Sequence, residues 1–232
     1  ADMPFLDLRL AAEAGFFLHS AREMLVSVGV KLPPSQLALS EAGENGQLEF
    51  DFLGEVRTLD GQPAATLRET VRLRWEGETV ARVKAGGVLY SGGFRLRPGD
   101  YGMKLLVREN RTGKIGTFEQ LLSVPDLAEH PIALSSVVLG ATAREDKVVP
   151  SVTRVFRNEQ ELLVYFQAYR PSLAPATGQP LLSAGLVFFH GARKAFETPL
   201  EHVRQLSDPN RNAANFRLRV PLKGFAPGRY WL

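Results

Sequence analysis

The chain holds 232 residues, 44% of them hydrophobic and 23% charged, which is longer than one typical domain and enough to bury two ordinary cores. No apolar run approaches the roughly 20 residues of a membrane-spanning helix, so a transmembrane segment is excluded. Lys and Arg outnumber Asp and Glu by only 28 to 25, an excess too small and too dispersed for a nucleic-acid-binding field, and with no cysteine there are no disulfides or thiolate metal sites.

In chain order, Ala1-Asp2-Met3-Pro4 lacks the basic start and apolar stretch of a signal peptide, which fits a cytoplasmic chain or a mature piece. Leu8 to Leu18 is Ala-rich and is the first helical candidate; Leu200 to Leu206 is the second. Met24 to Val30, Val71 to Trp75, Phe94 to Arg97 and Phe216 to Val220 alternate or run apolar over strand lengths. Arg72, Arg74, Arg82, Arg95 and Arg97 then fall on solvated strand faces. Turn signals punctuate these runs at Gly43 to Gly46, Asp60-Gly61, Gly86-Gly87, Gly92-Gly93, Pro98-Gly99, Arg111-Thr112-Gly113, Gly178-Gln179-Pro180, Asp208-Pro209-Asn210 and Pro227-Gly228. One such mark per strand or hairpin predicts an all-β sandwich.

An internal repeat sharpens that expectation. Pro4-Phe5-Leu6 matches Pro131-Ile132-Ala133, Glu23-Met24-Leu25-Val26 matches Glu161-Leu162-Leu163-Val164, and Gly93-Phe94 with Pro98-Gly99-Asp100-Tyr101 matches Gly224-Phe225 with Pro227-Gly228-Arg229-Tyr230. The order is the same and the offset nearly constant. The reading is two tandem immunoglobulin- or fibronectin-III-like β-sandwich domains, residues 1–127 and 128–232, with a proline-bracketed connector from Pro125 to Pro131. After Tyr101 the first copy runs through Met103 to Glu109, turns, and returns through Phe118 to Val124, whereas the second copy stops at Leu232. The second domain is therefore expected to lack its last hairpin, which further polypeptide or another segment would complete. Pro98, Gly99 and Tyr101, with Pro227, Gly228 and Tyr230, are expected to anchor equivalent turns by packing and a tyrosine hydroxyl bond.

Catalytic and metal chemistry finds little support. His19, His130, His190 and His202 have no second ligand at zinc spacing. Ser91 before Gly92-Gly93 imitates a nucleophile turn but lacks Gly-x-Ser-x-Gly, and reads as a hairpin serine. Arg111 to Ile115 lacks the upstream glycine and following hydroxyl of a phosphate loop, while Asn110-Arg111-Thr112 satisfies the glycosylation pattern. Asp51, Glu55 and Glu69 read as exposed strand carboxylates, and Asp60, Asp100, Asp146 and Asp208 stand too far apart for a calcium loop. No catalytic residue, metal site or cofactor is expected. The one positive feature is aromatic: Tyr165, Tyr169, Phe189 and Trp231 would form a ligand or partner surface if they faced outward, though core packing is the commoner use of such residues.

Gly54-Glu55-Val56-Arg57, Pro98 to Tyr101, Val107 to Asn110 with Gly113 to Gly116, and Val124 to Leu127 with Ala133 to Ser136 carry a family resemblance. The chain resembles the C-terminal region of VWFA-related proteins of Acidobacteria over most of residues 1–150. That resemblance implies a region following a von Willebrand factor A-like domain in exported proteins, hence an extracellular or periplasmic setting, neighbouring domains in the same polypeptide and an accessory role. The Asp-x-Ser-x-Ser metal motif of the A-type domain is absent, so metal-dependent adhesion does not transfer. The expected function is a non-catalytic structural or protein-interaction module. The alternatives are a carbohydrate-binding module, or an accessory domain of an enzyme whose catalytic part lies elsewhere, so the partner expected is a protein or a glycan.

Overall fold

The computed structural model describes residues 7–37, 47–74, 77–127, 130–142 and 148–232. Pro4-Phe5-Leu6, the turn at Gly43 to Gly46, Trp75, Ala128-Glu129 in the connector and Asp146 lie outside the described residues. Two compact units emerge, Ala1–Phe16 with Arg22–Asp126 and Phe17–Ala21 with Leu127–Leu232. They differ from a single cut after residue 127 because Phe17–Ala21, early in the chain, belongs with the second unit.

The first unit contains β1 (Ala11–Leu18, its last two residues counted with the second unit), β2 (Met24–Leu32), β3 (Gln47–Thr58), β4 (Pro63–Arg74), α1 (Glu78–Gly86), β5 (Val88–Leu96), β6 (Gly99–Glu109) and β7 (Ile115–Val124). One sheet has the order β1, β2, β5 and the other β4, β3, β6, β7. Strand periodicity explains the layers: alternate residues Met24, Val26, Val28, Val30 and Leu32 of β2, Leu48, Phe50 and Phe52 of β3, and Tyr101, Met103, Leu105 and Val107 of β6 are buried. Across the layers the Phe52 ring stacks on Tyr90 of β5 with centroids 3.9 Å apart. A Cβ added at Gly54 would stand 2.6 Å from the Phe94 ring, so glycine is what lets the sheets close there. The three-plus-four arrangement is the sandwich of an immunoglobulin- or fibronectin-III-like domain.

The second unit contains β8 (Ala133–Leu134), β9 (Val138–Thr142), β10 (Val148–Pro150), β11 (Glu161–Tyr169), β12 (Ser183–Ala184), β13 (Val187–His190), β14 (Arg193–Glu197), β15 (Glu201–His202), β16 (Ala213–Pro221) and β17 (Tyr230–Trp231). Its main sheet runs β10, β9, β11, β16 with β8 also on β11; β14, β13, β17 form a second sheet and β12 pairs with β15. Leu162, Val164, Phe166 and Ala168 of β11 and Phe216, Leu218 and Val220 of β16 pack with Leu186 and Phe188 in one buried cluster. The Phe166 and Phe216 rings stack at 4.8 Å.

The same pairings occur in both units. β2 pairs with β5 with Met24 opposite Leu96, and β11 with β16 with Leu162 opposite Val220. β3 ends on β6 with Thr58 opposite Tyr101, and β13 ends on β17 with His190 opposite Tyr230. Beyond β6 lies β7; beyond β17 no strand stands among the described residues. The Gly93-Phe94 match needs correcting: Gly93 and Phe94 lie inside β5, whereas Gly224-Phe225 lies in the turn between β16 and β17. Ladder position makes Leu218, opposite Val164, the counterpart of Phe94, opposite Val26.

Three local expectations also change. Ala11–Leu18 is a strand because a free edge of β2 was available and pairing outweighs alanine's weak helical preference. Leu200 to Leu206 contains only the two-residue β15. The one α-helix among the described residues is α1, which carries Arg82 and ends where Gly87, at φ 76°, donates its N–H to Val83 O. Its single buried side chain, Val83, leaves no apolar stripe to betray it in the sequence.

Candidate functional site

The polar residues that chemistry would recruit are engaged in shaping strands and turns. Tyr90 Oη donates to Glu69 Oε2 at 2.7 Å, and burial, then the carboxylate, push the phenol's pKa above its usual value. Thr70 donates to Asp51 at 2.6 Å and lowers its carboxyl's pKa, while Arg57 does the same for Glu55 through an ion pair at 2.5 Å. Asn110 and Arg72 both donate to Glu49, at 2.9 and 2.6 Å, and hold it low. Glu109, buried at the end of β6, accepts from the amides of Arg111 (3.0 Å) and Thr112 (2.7 Å) and from the Thr112 hydroxyl, building the turn of the would-be phosphate loop. Sequence reading passed over Glu109; its signal is a carboxylate just before a Thr-Gly turn, where two amides need an acceptor.

Ser91 requires correction. Ser91-Gly92-Gly93 sits in the middle of β5 with Gly92 opposite Val28, rather than in a turn. A Cβ at Gly92 would meet Tyr90 Oη at 2.6 Å, and one at Gly93 would meet Val26 O at 2.8 Å. Close approach explains these glycines.

The histidines do not converge. His202 Nδ1 lies 2.6 Å from Ser183 Oγ on the exposed β12 and β15 pair, His190 stacks on Tyr230 at 5.0 Å, and the His130 carbonyl accepts from Arg170. Among the described residues no three His, Cys, Asp or Glu side chains are grouped to hold a metal. Asp208 caps a short 3-10 turn by accepting from the Arg211 amide at 3.2 Å. The shallow depression lined by Glu201, His202, Arg204, Gln205 and Asn215 holds no enclosed polar group.

The four aromatic candidates separate into two pairs. Tyr165 and Tyr169 belong to β11; Tyr169 is 0% exposed and offers no surface, a correction to its reading as a contact residue. Its neighbours on the same strand face explain the burial. Tyr169 Oη accepts the Leu18 amide at 2.9 Å and donates to Gln167 Oε1 at 2.6 Å, and burial pushes its pKa up to about 12. Tyr165 is half-buried, with the Phe17 ring stacked on it at 6.2 Å and the Arg217 guanidinium 5.8 Å from its centroid. Phe189 and Trp231, in contrast, stand directly opposite each other on β13 and β17 and are 39% and 64% exposed. These two form a paired aromatic surface.

The turn residues are placed in parallel. Tyr101 Oη donates to Arg97 O at 3.0 Å across Pro98-Gly99, and Tyr230 Oη donates to Ala226 O at 2.9 Å across Pro227-Gly228. Both bonds span four residues, with Tyr101 the third residue of β6 and Tyr230 the first of β17, the geometry of a tyrosine corner. A Cβ at Gly228 would stand 2.6 Å from His190 Nε2, so glycine admits the imidazole that packs on Tyr230.

Fold and surfaces together define a class, an all-β chain of two sandwich units. No protein-family model and no curated protein matches it. A solved structure of a calcium-binding mutant of Bacteroides uniformis beta-glucuronidase 2 is similar at a TM-score of 0.31 and 12% identity, over 54% of this chain and 13% of that one. The same enzyme covalently bound to cyclophellitol-6-carboxylate aziridine gives 0.30 and 13%, over 50% and 13%. The match spans about an eighth of those chains, and scores this low carry no argument about activity. No helix among the described residues is long and apolar enough to cross a membrane.

Proposed function

We propose that the chain is a non-catalytic protein-interaction and spacer module of an exported bacterial protein related to the VWFA-containing proteins of Acidobacteria, acting outside the cytoplasm beside other domains of its polypeptide. The observation that carries this reading is the exposed Phe189 and Trp231 pair, set on a sheet where His190 packs on Tyr230 and Lys194 pairs with Glu197. Large rings held rigid by a ladder give contact area at little entropic cost, as interface anchors do. Leu173, Leu181 and Leu200 are also exposed on the second unit, and exposed aliphatic surface suits a protein partner better than a hydroxyl-rich sugar.

The test compares saturable capture of envelope proteins by the native chain and by a Phe189→Ala/Trp231→Ala double variant. Capture that falls at least tenfold in the variant supports the reading; equal capture by both, or none by either, overturns it. A carbohydrate-binding module is the second reading, favoured by the same ring pair, and selective binding on a glycan array that Trp231→Ala abolishes would install it instead.

A further inference from the structure

The chain runs into the second unit twice, at Phe17–Ala21 and again at Leu127. Two consecutive residues at the end of β11 receive these two segments. For the first, the Leu18 amide donates to Tyr169 Oη at 2.9 Å in a buried bond, and Phe17 stacks on Tyr165. A side-chain network backs that tyrosine: Tyr169 Oη donates to Gln167 Oε1 at 2.6 Å, and Gln167 Nε2 donates to Tyr165 Oη at 2.8 Å and Asn215 Oδ1 at 2.9 Å. For the second, the Arg170 guanidinium donates to His130 O from Nε at 2.9 Å and from Nη2 at 2.7 Å, and Nη2 also reaches Leu127 O.

The backbone is shaped for the task. Arg170 sits at φ 53°, a left-handed conformation that a residue with a side chain keeps only when its surroundings hold it, and its N–H donates to Asn212 O at 2.7 Å. The left-handed step redirects the chain after Tyr169, so adjacent residues serve different segments.

We infer that Tyr169 and Arg170 form a clasp that fastens both incoming segments to the second unit, making Phe17–Ala21 a strap held across the Tyr165 to Tyr169 end of β11. The unit is then discontinuous in sequence: part of its cover is written more than a hundred residues before its main sheet. The first attachment depends on a hydroxyl and the second on a guanidinium, and each can be removed separately.

Amide hydrogen exchange and limited proteolysis on the full 232-residue chain test this. Tyr169→Phe keeps the ring and deletes the acceptor; Arg170→Gly keeps the left-handed backbone and deletes the guanidinium. The expected result is exchange at Leu18 about tenfold faster in Tyr169→Phe, and cleavage between Leu127 and His130 about tenfold faster in Arg170→Gly, each without the other effect. Amides of the β11 and β16 ladder stay as protected as in the native chain. Native-like rates at both segments overturn the clasp, as does loss of protection spread evenly over that ladder. Should Tyr169→Phe fail to fold, Phe17→Ala reads the same strap: faster exchange at Leu18 supports the clasp and unchanged exchange opposes it.

Discussion

The two units solve the same packing problem with different amounts of sheet around one tyrosine. Tyr101 lies between β3 and β7, opposite Thr58 on one side and Leu122 on the other, and is 8% exposed. Tyr230 keeps the corresponding bond to the carbonyl four residues upstream, yet among the described residues has β13 alone beside it, packs on His190 and Phe225, and is half-exposed. A local hydrogen bond is thus set by the turn itself, while burial of the ring is set by the neighbouring strands. The lesson is that one motif contributes unequally to stability in two settings, because desolvation and packing depend on what lies across the ladder.

The sharpest way to break this comparison is truncation of both rings. Tyr101→Ala is expected to cost about 3–5 kcal/mol, the range for a buried aromatic, and Tyr230→Ala about half as much. Chemical denaturation monitored separately for each unit by exchange would show it; equal losses would refute the role assigned to β7. Next in size is Glu109→Ala, which strands two turn amides and should destabilise the first unit by about 2–3 kcal/mol while leaving the second unit unchanged. Removing only the hydroxyls, by Tyr101→Phe and Tyr230→Phe, should cost about 1 kcal/mol in the first case and less in the second, where water can replace the lost partner.

The remaining effect appears only at alkaline pH and concerns Tyr169, whose pKa burial raises to about 12. A neutral acid with a raised folded pKa contributes stability that is fully present below its unfolded value of about 10 and is lost as pH rises towards 12. Stability of the second unit should therefore fall between pH 10 and pH 12, and fall less steeply in Tyr169→Phe. Parallel alkaline unfolding curves for the two proteins would contradict that.

How far the sequence could be read depended on how local the cause was. The alternation in Met24 to Val30 and Phe216 to Val220, and the turn chemistry of Asp60-Gly61 and Arg111 to Gly113, act within a few residues, and these segments form strands and turns. Ala11–Leu18 was ambiguous because its strand state comes from pairing with β2, a partner outside any short window. Ser91-Gly92-Gly93 looked like a turn because glycine is small for more than one reason, and only the positions of Tyr90 Oη and Val26 O reveal close approach as the operative one.

The aromatic candidates divide in the same way. Residue type alone marked Tyr165, Tyr169, Phe189 and Trp231 as rings large enough for a surface. Ladder position then placed Phe189 opposite Trp231 in the open and sank Tyr169 beneath the strap.

By itself, the sequence determined an all-β chain with one blueprint used twice, because period-two alternation and turn residues act through bonds and neighbours close along the chain. Tertiary structure alone decided that Phe17–Ala21 belongs to the second unit, that Glu109 folds inward to cap its turn, and which tyrosine is covered. Those outcomes follow from which distant groups arrive within hydrogen-bonding and packing distance, and no local pattern encodes that meeting.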